Sequence, residues 1–165
     1  MEIEYKRATG AKRFLICAIH ADTEPGTAAF ATALAAADPT NRGLYIFHGP
    51  RVTSTEFSER IFDRVVKSYD VVVSIHGMLS TSVPIYVGGR NTRLVSALRD
   101  IFHRGQQTPR RIAGRHPENI VNHGRYGGLQ LELSPPVAYT QSPYHTLAIH
   151  CVNKVLAHPS YTPAA

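Results

Sequence analysis

The chain reads as an α/β domain, a mixed open sheet with helices on both faces. Two observations predict it. Continuous apolar runs, Phe14 to Ile19 and Asp70 to Ile75, have the pattern of strands buried on both sides. Between and after them come stretches with apolar residues at helical spacing, so strand and helix signals alternate along the chain.

The elements follow in order. After the strand at Phe14 to Ile19, Pro25 to Ala37 is alanine-rich with Phe30 and Leu34 four apart, which predicts a helix. Gly43 opens a short strand, Leu44 to Phe47. Thr55 to Tyr69 carries Phe57, Ile61, Phe62, Val65 and Val66 on one face and reads as an amphipathic helix. The second buried strand follows at once, and Pro84 to Val87 is a short strand ending in Gly88-Gly89. Asn91 to His103 is expected to be a helix with Leu94, Val95, Leu98, Ile101 and Phe102 inward. Gly105 to Gly127 is irregular and basic, a surface loop with some strand near Ile112. Gly128 to Leu133 is the last strand. Ser142 to His158 closes the chain as a helix with Leu147, Cys151, Val152, Val155 and Leu156 inward.

A length of 165 residues fits one domain, 1–165, large enough to bury a core. No stretch approaches the ~20 apolar residues that span a bilayer, and the start is polar, so a cytoplasmic protein is expected, released if at all by lysis. No membrane partner is expected, and a monomer is. The two cysteines, Cys17 and Cys151, are too few for a disulfide framework and read as small buried hydrophobes. The net charge is +6, and arginine far outnumbers lysine. Guanidinium groups grip carboxylate or phosphate through paired bonds, so the composition suits an anionic partner.

In α/β sheets, sites collect at the carboxyl ends of strands. The first strand ends at Ile19-His20, followed by a loop with Asp22 and Glu24, and the second buried strand ends at Ile75-His76-Gly77. The late strand carries Glu132, which points opposite to Leu131 and Leu133, towards water or a pocket, and shares a face with Gln130 only if the pleat breaks. Two histidines and a carboxylate with one open position are a catalytic zinc donor set, although each histidine alone is also a common structural residue. Gly88-Gly89-Arg90-Asn91 is a strand-to-helix turn. Arg90 and Asn91 either hold a substrate carboxylate or form an ordinary turn in which Asn91 caps the helix.

The segments Ala18-Ile19-His20 with Glu24-Pro25-Gly26-Thr27, Val73 to Gly77, Val87 to Asn91, and Asn119 to Asn122 leading to Gly128 to Ser134 together resemble the phage-type poly-γ-glutamate hydrolases. These are small zinc enzymes distantly similar to zinc carboxypeptidases. The resemblance covers most of the chain in family order. It implies a zinc-carboxypeptidase-like fold and Zn2+ held by His20, Glu24 and His76. It further implies Glu132 as the base that activates water, and Arg90 and Asn91 as the grip on a substrate carboxylate. The loop after His20 departs from the pattern, leaving Asp22 as a fallback ligand, and His48 stands where an acidic residue is expected, lining the pocket or lying on the surface.

The expected chemistry is metal-assisted hydrolysis of γ-glutamyl amides, with Arg90 or Arg125 steadying the substrate carboxylate or the developing oxyanion. Poly-γ-glutamate, an anionic polymer, is the expected substrate. One rival keeps the zinc and changes the substrate to a small γ-glutamyl or N-acyl amino acid amide. Another is a basic nucleic-acid-binding protein, resting on Arg104, Arg110, Arg111, Arg115 and Arg125, but that run lacks interleaved aromatics.

Overall fold

The computed structural model describes residues 1–11, 13–81, 83–103 and 107–159. Its centre is one six-stranded sheet: β1 (Glu2–Lys6), β2 (Phe14–Ala18), β3 (Arg42–His48), β4 (Val71–Gly77), β5 (Ile85–Gly88) and β6 (Gly128–Leu133), in the order β1-β3-β2-β4-β6-β5. The four middle strands are parallel, and the edge strands β1 and β5 run antiparallel to their neighbours. The carboxyl ends of β2, β3, β4 and β6 therefore meet along one rim, while β5 starts at that rim and leaves it.

Five helices accompany the sheet: α1 (Thr27–Ala36), α2 (Arg60–Val65), α3 (Thr92–Phe102), α4 (Pro135–Ala138) and α5 (Pro143–Ala157). Phe30 and Leu34 of α1, Leu94 and Leu98 of α3 and Val152 and Leu156 of α5 pack with Ile16, Val73, Ile75, Leu129 and Leu131 on one face. Phe62 of α2 packs with Leu15, Cys17, Tyr45, Phe57, Val72 and Ile120 on the other. All five residues of β2 are buried, as a continuous apolar run covered on both faces requires.

Several expectations need correction. β1 lies in the polar start, where no element is expected; it pairs with β3 as an edge strand with its central residues half-buried. The helix expected from Thr55 begins only at Arg60, because the polar side chains before it bond locally. Thr53 Oγ1 donates to Glu56 and Ser58 Oγ to Asp63, and Glu59 caps the helix by accepting from the Ile61 and Phe62 amides. Ile112 ends a short 3₁₀ turn rather than sitting in a strand. Ile101 and Leu147 are exposed, and Ala148 takes the inward place on α5. Cys17 is buried and Cys151 half-buried, both unpaired. Among the described residues no helix is long and apolar enough to cross a membrane.

Gly26 fixes the entry to α1. Its φ is +85°, and a Cβ there would lie 2.0 Å from the Ala138 carbonyl oxygen. Gly26→Ala should therefore lower unfolding free energy by roughly 1–3 kcal/mol, the scale of a forced left-handed residue. Urea denaturation of the two proteins checks this.

Candidate metal centre

His20 sits two residues past β2, in a turn where the Glu24 amide donates to the His20 carbonyl at 2.8 Å. That single helical turn puts His20 and Glu24 on one side, four residues apart. His76 is the next-to-last residue of β4, on the face of the sheet away from α1, α3 and α5. The register sets it directly opposite Glu132 of β6. His20, Glu24, His76 and Glu132 are all buried.

The three potential ligands converge. Their ligand atoms all lie within 4.8 Å of one another. Nδ1 of His20 is 3.0 Å from Glu24 Oε1 and 3.2 Å from Nδ1 of His76, which is 3.4 Å from Glu24 Oε2. The far side of each ring says which nitrogen carries a proton. Nε2 of His20 lies 2.7 Å from the Val52 carbonyl oxygen, which can only accept, so Nε2 is protonated and the Nδ1 lone pair faces Glu24. Nε2 of His76 lies 2.8 Å from Ser74 Oγ, which also has Cys17 as a partner. With Nε2 donating to that hydroxyl, the His76 Nδ1 lone pair also faces inward. Two imidazole lone pairs and a carboxylate aimed at one buried point repel unless a cation lies among them. The spacings approach the ~3.4 Å edges of a tetrahedron with 2.0–2.1 Å metal–nitrogen bonds. The residues present therefore fit a metal ion.

The electrostatics agree. Burial opposes charge on both Glu24 and His20. For Glu24, Nδ1 of His20 and of His76 when each ring is protonated there, with the Gly77 amide 2.9 Å from Oε2, outweigh it and hold the carboxyl well below the usual range. For His20, the Glu24 hydrogen bond and the Val52 carbonyl outweigh it and raise the imidazole. Gly77 leaves room for this contact, since a Cβ there would sit 3.2 Å from Glu24 Cβ. Behind the histidines, full burial pushes the Cys17 thiol up to about 12.

Glu132 differs. Burial raises its carboxyl above the ordinary range, helped by the charge of Glu24 and opposed by His76 and by the hydrogen bond from Gln130. Gln130 Nε2 donates to Glu132 Oε1 at 2.7 Å and to the Ile112 carbonyl at 3.1 Å, and Asn119 Nδ2 donates to Gln130 Oε1 at 3.3 Å. Gln130 and Glu132 share a face with the pleat intact, because residues two apart in a strand point the same way.

The four residues line an open cleft of about 870 Å³, with Arg51, Arg111 and Tyr86 among its other walls. The cations there are not the ones the sequence nominates. Arg90 and Asn91 follow β5, which runs away from the rim; the Asn91 amide donates to Gly128 at the start of β6, four residues and about 13 Å from Glu132. Asn91 caps α3 by accepting from the Leu94 amide. Arg125 pairs with Asp70 before β4, also at the far rim. The structure thus does not bring Arg90, Asn91 and Arg125 to the cluster. Strand direction, which sequence does not show, sets that placement. Arg51, whose guanidinium lies 3.3 Å from Glu24 Oε1, and Arg111, in the 3₁₀ turn Arg110–Ile112, line the cleft instead. His48 bonds to Asp22 at 2.7 Å outside the cleft, which occupies the fallback ligand.

Residues 1–141 match the model of the family described as poly-gamma-glutamate hydrolase. The chain belongs to that family. Membership does not favour the small-amide or nucleic-acid readings. Among curated proteins, the SPbeta prophage-derived UPF0714 protein YoqZ of Bacillus subtilis (strain 168) is 30% identical over 139 residues, covering 74% of this chain and 49% of that protein. The chain thus spans about half the length of that relative. Among solved structures, a bacteriophage poly-gamma-glutamate hydrolase superposes with a TM-score of 0.80 at 22% identity, over 94% of this chain and 87% of the other. A zinc-free apo form of YNDL superposes at 0.69 with 20% identity, over 94% and 86%. At these identities the superpositions speak for the fold, a mixed α/β sheet shared with both.

Glu132 generates a pH prediction. Its folded pKa is raised, so the folded chain keeps a proton that the unfolded chain releases. Its contribution to stability is lost as pH rises through the window between the unfolded and folded values. Glu132→Gln removes that loss. In metal-free protein the variant should be the more stable at pH 7, and the gap should close as pH falls below the ordinary carboxylate range. Urea midpoints across pH measure it; a gap that widens on acidification contradicts the assignment.

Proposed function

We propose that this chain hydrolyses the γ-glutamyl amide bonds of poly-γ-glutamate, with zinc held by His20, Glu24 and His76 and with Glu132 as general base. The observation that supports it most is the inward aim of two Nδ1 lone pairs and a carboxylate, beside a second, proton-retaining carboxylate. Zinc, when bound, supplies a Lewis acid that polarises a carbonyl and acidifies water.

The chain's own residues do the rest. Glu132 takes a proton from the attacking water as the new C–O bond forms, and delivers it to the amide nitrogen as the C–N bond breaks. Its raised pKa brings it nearer neutrality, where both transfers are feasible. Gln130 holds Oε1 of Glu132 by hydrogen bond, and Asn119 holds Gln130, so the base keeps one position. Val52 and Ser74 keep both ligand imidazoles in the tautomer that presents Nδ1. Arg51 and Arg111 line the cleft and meet the free α-carboxylate that every polymer repeat carries.

The deciding experiment separates ligand from base. Purified protein should hold about one zinc per chain, lose activity on chelation and regain it with zinc. Glu24→Gln should lose both zinc and activity. Glu132→Gln should keep zinc and fall roughly 10²–10⁴-fold in turnover, the scale of a lost general base. Mass-spectrometric zinc and polymer turnover are measured on the same preparations; a fully active Glu132→Gln protein moves the base elsewhere.

Zinc affinity should also fall as pH drops through neutrality, because His20 binds its proton more tightly than a free histidine does. Competition titrations against a chromophoric chelator at several pH values read this out. An affinity independent of pH removes His20 from the ligand set.

Ser74→Ala, which strips the support behind His76, should weaken zinc binding about 10–100-fold. The same chelator titration measures it, and unchanged affinity sinks the positioning role of Ser74.

A further inference from the structure

A second cavity, of about 670 Å³, opens beyond the far end of β5, where the chain turns into α3. Arg90, Arg99 and Arg115 line it, with Asp100 as the acidic residue on its wall. Arg99 is fixed: its Nε donates to the Val87 carbonyl at 3.2 Å and a terminal nitrogen to Thr108 Oγ1, also at 3.2 Å. No salt bridge among the described residues involves Arg90, Arg99 or Arg115. Burial and the nearby charge of Arg115 both make the Arg99 cation less favourable. Three arginines facing one space against the single carboxylate of Asp100 leave it net positive, which favours an anion there.

The cavity shares a wall with the cleft. Tyr86 lines the cleft, and its ring packs edge-on against His103, which lines the cavity, with centroids 5.3 Å apart. The 3₁₀ turn Arg110–Ile112 and its continuation do the same on the other side: Arg111 faces the cleft and Arg115 the cavity. The Gly89 amide donates to the Ala113 carbonyl at 2.7 Å and ties that loop to β5. Three residues of extended chain, about 10 Å, separate Tyr86 from Gly89. A flexible chain with a carboxylate on every repeat, held at Arg111, can therefore present another carboxylate to this cavity.

We propose that this cavity is an anion subsite that holds a carboxylate of the same polymer remote from the scissile bond, and so makes the enzyme prefer long chains to short ones. The inference rests on the reading that the cleft cleaves poly-γ-glutamate. The preference arises because a second contact on one molecule adds binding without a second loss of free motion.

The test is fluorescence anisotropy of labelled poly-γ-glutamate, long and short, with zinc-loaded protein and with the double variant Arg90→Glu/Arg115→Glu. The variant should lose roughly tenfold or more of its affinity for the long chain, the scale of lost charge-assisted contacts, and much less for an oligomer too short to span both places. Its affinity for the long chain should also depend less on salt. Lys154→Glu, a charge reversal on the exposed side of α5, should keep the long-chain preference, which separates the cavity from net charge. Circular dichroism shows whether the double variant folds; if it does not, Arg115→Gln, which removes one charge and keeps much of the side-chain shape, must reduce the preference. An unchanged ratio of long to short affinity in a folded variant overturns the proposal. So does a single-stranded oligonucleotide that displaces the long polymer from wild type but not from the variant, since that makes the cavity a phosphate site. If wild type binds long chains through the cavity yet cleaves none, the subsite stands and the reading of the cleft fails.

Discussion

The site depends above all on the parallel register of β4 against β6. It sets Ser74 beside Gln130 and His76 beside Glu132, all on the face away from α1, α3 and α5. One pair of strands thereby places His76 with Ser74 behind it and Glu132 with Gln130 beside it. Slipping either strand by one residue would turn its two polar side chains into the apolar layer. That layer is what prevents the slip, because Val73, Ile75, Leu129 and Leu131 are buried in it. The energy that holds the polar cluster in place is therefore mostly apolar burial one pleat away.

The second determinant is the turn after β2. It carries Glu24 back beneath His20, and the Gly77 amide then receives the carboxylate across the gap between strands. Three buried polar groups with inward lone pairs are costly to assemble. Hydrogen bonds across the cluster offset part of that cost: they hold Glu24 below the usual carboxylate range and raise the His20 imidazole. The poly-gamma-glutamate hydrolase family model and the superposable structures belong to the same architecture. At near 20% identity, what the superpositions share is the fold.

Much of this was legible in the sequence because it is periodic. β2 and β4 announce themselves as unbroken apolar runs, and a histidine directly after each run has to lie at a strand end. Glu24 is named by the family resemblance, with Asp22 as the fallback because the loop after His20 departs from the pattern. What was not legible depends on direction and contact. Nothing in Pro84 to Val87 says that β5 runs antiparallel, yet that alone carries Arg90 and Asn91 to the far rim. Arg51 and Arg111 reach the cleft from loops whose path is set by tertiary packing. β1 alternates Glu2, Ile3, Glu4, Tyr5 and Lys6, but an edge strand this short and polar has a weak period-two signal.

The Cys17 thiol stands behind Ser74, fully buried, and its ionisation is pushed to about 12. It is therefore a neutral S–H at any physiological pH, and soft-metal chemistry needs a thiolate. The pocket offers borderline nitrogen and hard oxygen donors and withholds sulfur, although a sulfur atom lies only one hydroxyl away from a ligand ring. The strands that build the site thus leave Cys17 outside the donor set of His20, Glu24 and His76.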